Sequence, residues 1–323
     1  TATPEIYTLS LHDALPILGR LGSAEGIEAV RQADTILAVG TRLSQSTTFY
    51  DNRFIPEDAK IIQIEIDPQE IGRNYPVTVG IEGDAKAVME GLLGKVRERE
   101  PRPNEQWVSE IEDWNSRRAS RLQDEEKLSG SSIKPQRAYA ELRKVMPRDA
   151  IIALDAGLAP NYGQDRLNYY EPRSLITSLD LGGLGFSFPA AIGAKFAAPN
   201  RPVINFNGDG GFLFNAQEFS TAVQYNLPVV TVIMNNGIWG SEKAYQRYAF
   251  DERYVGADVV NPRFDKYAEI FGGSGFYVER PEDIGNALEE ALASGKPSII
   301  EIPTDPDEMP RPARLAEVQA PTQ

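Results

Sequence analysis

An aspartate flanked by glycines, Gly208-Asp209-Gly210-Gly211, is followed 27 positions after Asp209 by Asn236 in the run Asn235-Asn236-Gly237. A carboxylate and an amide oxygen on one side of a small site suit Mg²⁺, a hard cation that prefers six oxygens in octahedral geometry. Two side chains do not fill six positions, which leaves room for phosphate oxygens, a backbone carbonyl and water. Glycines beside the carboxylate let backbone N–H groups approach a phosphate with no Cβ in the way. Gly208-Asp209-Gly210 alone reads more readily as a tight βα turn with Asp209 and Asn236 as caps. Joined by a helix, a strand and the second motif, it describes a site for a diphosphate and Mg²⁺.

Positioning these residues requires two strand ends at the same sheet edge. Residues 202–206 and 228–234 are short apolar runs bounded by turn residues and read as buried strands. A helix from about Asn215 to Tyr225 joins them, so the strands are parallel and their carboxyl ends share the ligand-binding edge. The N–H groups at the start of that helix would face the same spot. Strand 150–154 ends in Asp155-Ala156-Gly157 at this edge, where it either adds N–H contacts to the diphosphate or forms a plain turn. Strand 175–178, helices 188–196, 264–271 and 281–293, and strand 298–302 complete the unit.

Upstream, a helix over 22–31 capped by Ser23, strands 35–40 and 60–66, and a helix opened by Asp84 form another alternating unit. The fold class is therefore α/β, with two Rossmann-like parallel-sheet domains and flanking helices. The expected divisions are a non-native leader over 1–17, a truncated central domain over 18–96 and a linker with a connecting helix over 97–133. A diphosphate-binding domain over 134–304 and a tail over 305–323 follow. The leader holds the one histidine of the chain, His12, and no chemistry is placed on it.

Composition removes several function classes. With no cysteine there are no disulfides, thiolate metal sites or thiol nucleophiles. A formal charge of −14 repels phosphate backbones, so nucleic acid is not an expected partner. No apolar run approaches the roughly 20 residues of a membrane helix, and the composition agrees with a cytoplasmic protein.

The Asp209 and Asn236 motifs resemble the thiamine diphosphate (ThDP) motif, GDG followed some two dozen residues later by NN. The resemblance extends from Leu18 to about Pro310. It covers the central and pyrophosphate-binding (PP) domains of the acetolactate synthase and sulfoacetaldehyde acetyltransferase group, through ADTILAVGTRL, IIQIEIDPQEIG, VTVGIEGDAKAV and LGGLGFSFPAAIGAKFA. It implies that Asp209 and Asn236 ligate Mg²⁺ by side chain and Ile238 by its backbone carbonyl. Gly208, Gly210, Gly211 and Gly237 would line the diphosphate. Leu184 occupies the place of the apolar wedge that holds thiamine bent, and the Gly182 carbonyl that of the acceptor for the aminopyrimidine amine. Gly183 lies between them. The same glycine-rich run also imitates a dinucleotide loop.

Trp239-Gly240-Ser241-Glu242-Lys243 is closer to the acetyltransferase pattern. Glu242 could serve as an acid/base and Lys243 could attract an anionic substrate; an exposed helix start with mixed charges explains both equally. The resemblance implies a 2-oxo acid or aldehyde substrate and a homodimer or homotetramer. It also implies a pyrimidine-binding (PYR) domain whose glutamate contacts the aminopyrimidine ring. Nothing in the sequence resembles that domain, so the chain is read as a truncated piece or as one subunit of a split enzyme. Alone, it is expected to bind ThDP weakly without turnover. FAD is a further possibility in the central domain, with Arg42, Asp67 and Asp84 as contacts, although such scaffolds also occur without nucleotide. A non-catalytic ThDP- or nucleotide-binding subunit is the reading from another class.

Overall fold

The computed structural model describes residues 22–48, 50–52, 54–99, 104–178 and 181–309. The leader with His12, residues 100–103 of the linker and the tail from residue 310 lie outside the described residues. The chain divides into two compact units between Ser120 and Arg121.

In the first unit, α1 (Ala24–Arg31), β1 (Thr35–Val39), α2 (Gln45–Thr48), β2 (Lys60–Glu65), β3 (Val79–Glu82) and α3 (Ala85–Arg97) alternate around a parallel sheet of order β1-β2-β3. Ser23 starts α1 by accepting a hydrogen bond from Gly26 N at 2.9 Å, and Asp84 starts α3 by accepting from Ala87 N at 3.0 Å. Ala38, Leu43, Ile55, Ile61 and Tyr75 form the core. β3 was not anticipated as a strand. Three of its four residues are exposed, so no apolar alternation marks it.

The division between the units falls within α4 (Glu105–Glu125). The second unit continues with α5 (Pro135–Val145), β4 (Ile151–Leu154), α6 (Leu158–Arg166), β5 (Leu175–Thr177), α7 (Ser187–Ala197), β6 (Val203–Gly208) and α8 (Asp209–Leu213). Then come α9 (Phe219–Gln224), β7 (Val229–Asn235), α10 (Gly240–Ala249), α11 (Phe264–Ile270), β8 (Ser274–Tyr277), α12 (Ile284–Ala293) and β9 (Ser298–Pro303). The strands form a parallel sheet of order β5-β4-β6-β7-β9-β8.

Strand periodicity builds a core on each sheet face. Ile152, Leu154, Ile204, Phe206, Val230, Val232, Ile300 and Ile302 pack with residues of α5, α6 and α12. Ile151, Ala153, Val203, Val229, Ile233 and Ile299 pack with residues of α7, α8, α9 and α11. Alternate positions on the second face carry buried polar side chains, Asn205, Asn207, Thr231 and Glu301. The sheet grows from β4 to β5 in one direction, then resumes with β6 on the other side of β4. The topological switch point therefore lies between β4 and β6, whose carboxyl ends carry Asp155 and Asp209.

The helix read over Asn215–Tyr225 is corrected. Helical backbone begins at Asp209, breaks at Asn215 (φ −135°), passes through a 3₁₀ turn at Ala216–Glu218 and resumes as α9. Two glycines give α8 no intrinsic helix preference; burial of Phe212 in the second core holds it instead. The N–H groups assigned to the Asn215 turn thus begin six residues earlier, at the carboxylate itself. α6 was also missed because most of its residues, including Pro160, Tyr162, Gln164 and Asp165, are buried and leave no amphipathic period. Among the described residues no helix is long and apolar enough to cross a membrane.

Candidate functional site

Asp209 and the Asn235-Asn236-Gly237 loop meet at the switch-point edge. Asp209 is buried, and its Oδ2 accepts from Gly237 N at 2.9 Å and from Asn261 Nδ2 at 2.6 Å. The two neighbouring asparagines divide their duties. Asn235 turns into the fold, donating from Nδ2 to Glu301 Oε1 at 2.8 Å while its Oδ1 accepts from Gly237 N and Asn261. Asn236 is partly exposed, with Oδ1 accepting a 3.3 Å bond from Ile238 N within the loop. A strap, residues 257–261, lies along this loop. Trp239 N donates to Ala257 O at 2.7 Å, Val259 N donates to Gly237 O at 2.8 Å, and Ile238 bridges Asp258 in antiparallel fashion.

Burial pushes the Asp209 carboxyl above the usual carboxylate range, partly offset by Asn261 and the N–H groups of Gly210 and Gly237. Each of these donors is neutral, so nothing in the set balances the charge of an ionised Asp209. A divalent cation would do so. Among the described residues no three His, Cys, Asp or Glu side chains gather into a metal cluster. An ion at Asp209 would therefore have to complete its shell with amide, carbonyl, phosphate and water oxygens. Space for a ligand is visible at Gly182, Gly183 and Gly208, where an added Cβ would meet nothing within 4 Å. The residues present fit a diphosphate with a divalent cation.

The other glycines have neighbours of their own. A Cβ on Gly210 would lie 2.6 Å from the Trp239 ring, and one on Gly211 would lie 3.2 Å from Asp155 Oδ2. Packing demands glycine at Gly210 whether or not a phosphate is bound. Trp239 in turn meets Phe214 edge to face at 6.0 Å, in keeping with a packing role.

Asp155 differs from its sequence reading. Its carboxylate is 1% exposed; Oδ1 accepts from Ala156 N at 2.7 Å and Oδ2 from Gly185 N at 2.9 Å. The Ala156 N–H is thus already engaged, and Asp155 ties the end of β4 to the Gly182-Gly183-Leu184-Gly185 loop. Asn215 Nδ2 holds the same loop by donating to Gly185 O at 2.9 Å, while Ser178 Oγ donates to Gly183 O at 3.2 Å. Leu184 and Gly157 are brought together, since a Cβ on Gly157 would lie 4.0 Å from Leu184 Cδ2.

Burial pushes the Asp155 carboxyl up to about 6 from 3.8, against the pull of the Ala156 and Gly185 N–H groups and Ser187. A carboxyl whose pKa is higher folded than unfolded binds its proton more tightly when folded. Its burial penalty is complete above about pH 6 and is relieved as pH falls toward 3.8. Wild-type melting temperature should therefore rise relative to Asp155→Asn between pH 7 and pH 5. A difference that stays flat in paired melts would contradict this.

Glu242 is exposed in the first turn of α10. Lys243 Nζ pairs with Asp258 Oδ1 at 2.7 Å and lies 5.3 Å from the Tyr254 ring centroid, so its charge is already matched. Asp67 and Asp84 cap helical turns by accepting from Gln69 N and Ala87 N, and the Arg42 carbonyl accepts from Asn74. Capping accounts for both carboxylates with no nucleotide present. The parts that Asn261, Asn235, Glu301, Gly185 and Asn215 play in holding the site escaped the sequence reading. Asn261 lies 52 residues from Asp209 in an aperiodic loop, and no local pattern links the two.

A parallel sheet whose switch-point edge offers open glycines, a buried carboxylate and loop amides places the chain among α/β proteins of the type that hold ligands at that edge. Residues 155–302 match the thiamine pyrophosphate enzyme C-terminal TPP-binding domain, and residues 10–92 match the central domain of the same enzymes. The chain belongs to the thiamine pyrophosphate enzyme family. It is 31% identical to a sulfoacetaldehyde acetyltransferase of Castellaniella defragrans, over 93% of this chain and 56% of that protein. It is 34% identical to a probable acetolactate synthase large subunit of Methanocaldococcus jannaschii, over 95% of this chain and 53% of that protein. An acetolactate synthase large subunit of Haemophilus influenzae is 34% identical, over 93% of this chain and 52% of that protein. The chain spans about half the length of these relatives.

Proposed function

We propose that Asp209, Asn236 and the Ile238 carbonyl bind Mg²⁺ and, through it, the diphosphate of ThDP, in an enzyme that decarboxylates a 2-oxo acid and transfers the two-carbon unit to an acceptor. The observation that carries this reading is the buried Asp209 carboxylate, held by neutral donors at the edge where Gly183 and Gly208 leave space. ThDP, when bound, supplies the electron-accepting ring that decarboxylation of a 2-oxo acid requires. The chain's own part is grip and orientation. Asp209 faces the cation, the loop pinned by Asp155 and Asn215 sets the height of Leu184, and the residues 257–261 strap holds the Asn236 loop in place.

The glutamate that addresses the aminopyrimidine ring belongs to a PYR domain, in the same polypeptide or in a partner. The working assembly is then a homodimer or homotetramer, and the intended compartment is the cytoplasm. FAD is left out of the proposal because capping already occupies Asp67 and Asp84.

A second reading is phosphate-dependent acetyl transfer from sulfoacetaldehyde, favoured by Trp239-Gly240-Ser241-Glu242-Lys243 and by the acetyltransferase relative. Pairing of Lys243 with Asp258 weakens it, since the anion-attracting charge is matched. The two separate in an assay with a PYR domain present, Mg²⁺ and ThDP saturating. Release of CO₂ from pyruvate is the expected outcome. Acetyl phosphate formed from sulfoacetaldehyde and phosphate, with pyruvate inert, supports the second reading. Cofactor binding with neither reaction points to a non-catalytic subunit.

A further inference from the structure

We infer that Asn261 is a positioning residue for the metal-binding carboxylate, selecting which oxygen of Asp209 faces the cation. This rests on the reading of the Asp209 edge as a diphosphate–Mg²⁺ site. The residues 257–261 strap delivers Asn261 to the motif through the backbone bonds of Ala257 and Val259 to the Asn236 loop. Its Nδ2 group then uses both hydrogens, one on Asp209 Oδ2 at 2.6 Å and one on Asn235 Oδ1 at 2.9 Å. Gly237 N donates to the same two oxygens at 2.9 and 3.2 Å. Two donors and two acceptors are thereby cross-linked.

The consequence is asymmetry in the carboxylate. Asp209 Oδ2 takes both of these bonds, and Oδ1, which takes neither, is the oxygen to offer a cation. Rotating the Asn261 amide by half a turn would set its oxygen against a carboxylate oxygen at 2.6 Å, so the orientation is fixed by chemistry. In that orientation Asn261 Oδ1 is buried with no hydrogen-bond partner. A buried acceptor left unpaired is costly. A water held by the cation would satisfy it, which makes the free oxygen a second indication that Asn261 belongs to the metal environment.

The residue is also held from behind. Asn235 Nδ2 donates to Glu301 Oε1, and Glu301 Oε2 accepts from Phe264 N at 2.8 Å and Asp265 N at 3.3 Å at the start of α11. Asn261 thus stands three residues before a helix whose first turn is bound to the same buried glutamate as its own partner Asn235.

The test measures Mg²⁺ affinity at saturating ThDP by tryptophan fluorescence, alongside melting of the metal-free chain, for wild type, Asn261→Ala, Asn261→Ser, Asp209→Asn and Val260→Ala. Val260 is 98% exposed in the strap and controls for its disturbance. Asn261→Ala is expected to weaken Mg²⁺ roughly tenfold or more, in the range for residues that orient metal ligands. Asn261→Ser, which keeps one donor, should fall between it and wild type, with Val260→Ala unchanged. If Asn261→Ala lowers the melting temperature but leaves Mg²⁺ affinity within twofold of wild type, the residue is structural and the inference fails. Should Asn261→Ala not fold, the serine variant decides by the same criterion. Wild-type affinity in Asp209→Asn would instead overturn the metal site itself, so the two failures are distinguishable.

Discussion

Asp209→Asn should lose Mg²⁺-dependent ThDP binding by roughly a hundredfold or more, about 3 kcal/mol, while the metal-free fold keeps or gains stability. Both halves follow from the same geometry. The substitution removes the formal charge that a cation would neutralise, but Asn keeps an acceptor oxygen for Gly237 N and Asn261 Nδ2. In the metal-free chain that charge is a liability, since burial disfavours ionised Asp209 and its hydrogen-bond donors are neutral. A residue that merely capped α8 would behave differently: asparagine caps about as well as aspartate, so its replacement would leave both melting temperature and ligand affinity close to wild type. Calorimetric titration of ThDP with Mg²⁺, paired with melts of the metal-free protein, reads both quantities.

Gly185→Ala should destabilise the second unit by about 2–4 kcal/mol, combining the cost of a left-handed backbone for a residue with Cβ and that of overpacking. Gly185 has φ +77°, and its added Cβ would lie 2.6 Å from Phe214 Cβ and 2.9 Å from Asn215 Nδ2. The second atom belongs to the side chain that holds this loop, so the clash breaks the Asn215 bond to Gly185 O as well as crowding α8. Leu184, the adjacent residue, then moves with the loop. Gly183→Ala gives the contrast. Its Cβ would meet nothing within 4 Å, so stability should change by less than about 0.5 kcal/mol. Cofactor affinity should still fall, because the methyl enters the space reserved for the ligand. Denaturant midpoints and ThDP titrations of the two variants check this. Equal destabilisation by both would contradict the account of the loop.

The strand ends, and with them the meeting of Asp209 and the Asn236 loop at one sheet edge, were legible because each strand is marked locally. Alternation and β-branched runs marked β6 and β7, and the 27-residue spacing of Asp209 and Asn236 follows from one helical crossover between parallel neighbours. The roles of Asp155 and Asn261 were not legible. Each depends on a partner remote in sequence, Gly185 at 30 positions and Asp209 at 52, and no periodicity encodes such a contact. The start of α8 was hidden for a different reason. Its glycines signal a turn, and only the burial of Phe212 by the tertiary fold makes the segment helical. Lys243 illustrates the limit for charges: sequence shows the ammonium but not Asp258, fifteen positions away, which neutralises it.

These distinctions sharpen the reading of the site. Asn235 and Asn236 look equivalent in sequence, yet the first is consumed by Glu301, Gly237 and Asn261 while the second stays near the edge. On the proposed reading the grip on the cofactor would rest on Asp209 Oδ1, Asn236 and the Ile238 carbonyl, with Asn261 and Glu301 holding the loop around them. Crystals soaked with ThDP and Mn²⁺ as an anomalous stand-in for Mg²⁺ test this most directly. The account predicts one anomalous peak within about 2.0–2.3 Å of an Asp209 carboxylate oxygen, also touching Asn236 and the Ile238 carbonyl, with diphosphate density beside Gly183 and Gly208. ThDP bound with no metal at Asp209, or a metal peak elsewhere on the sheet edge, would contradict it.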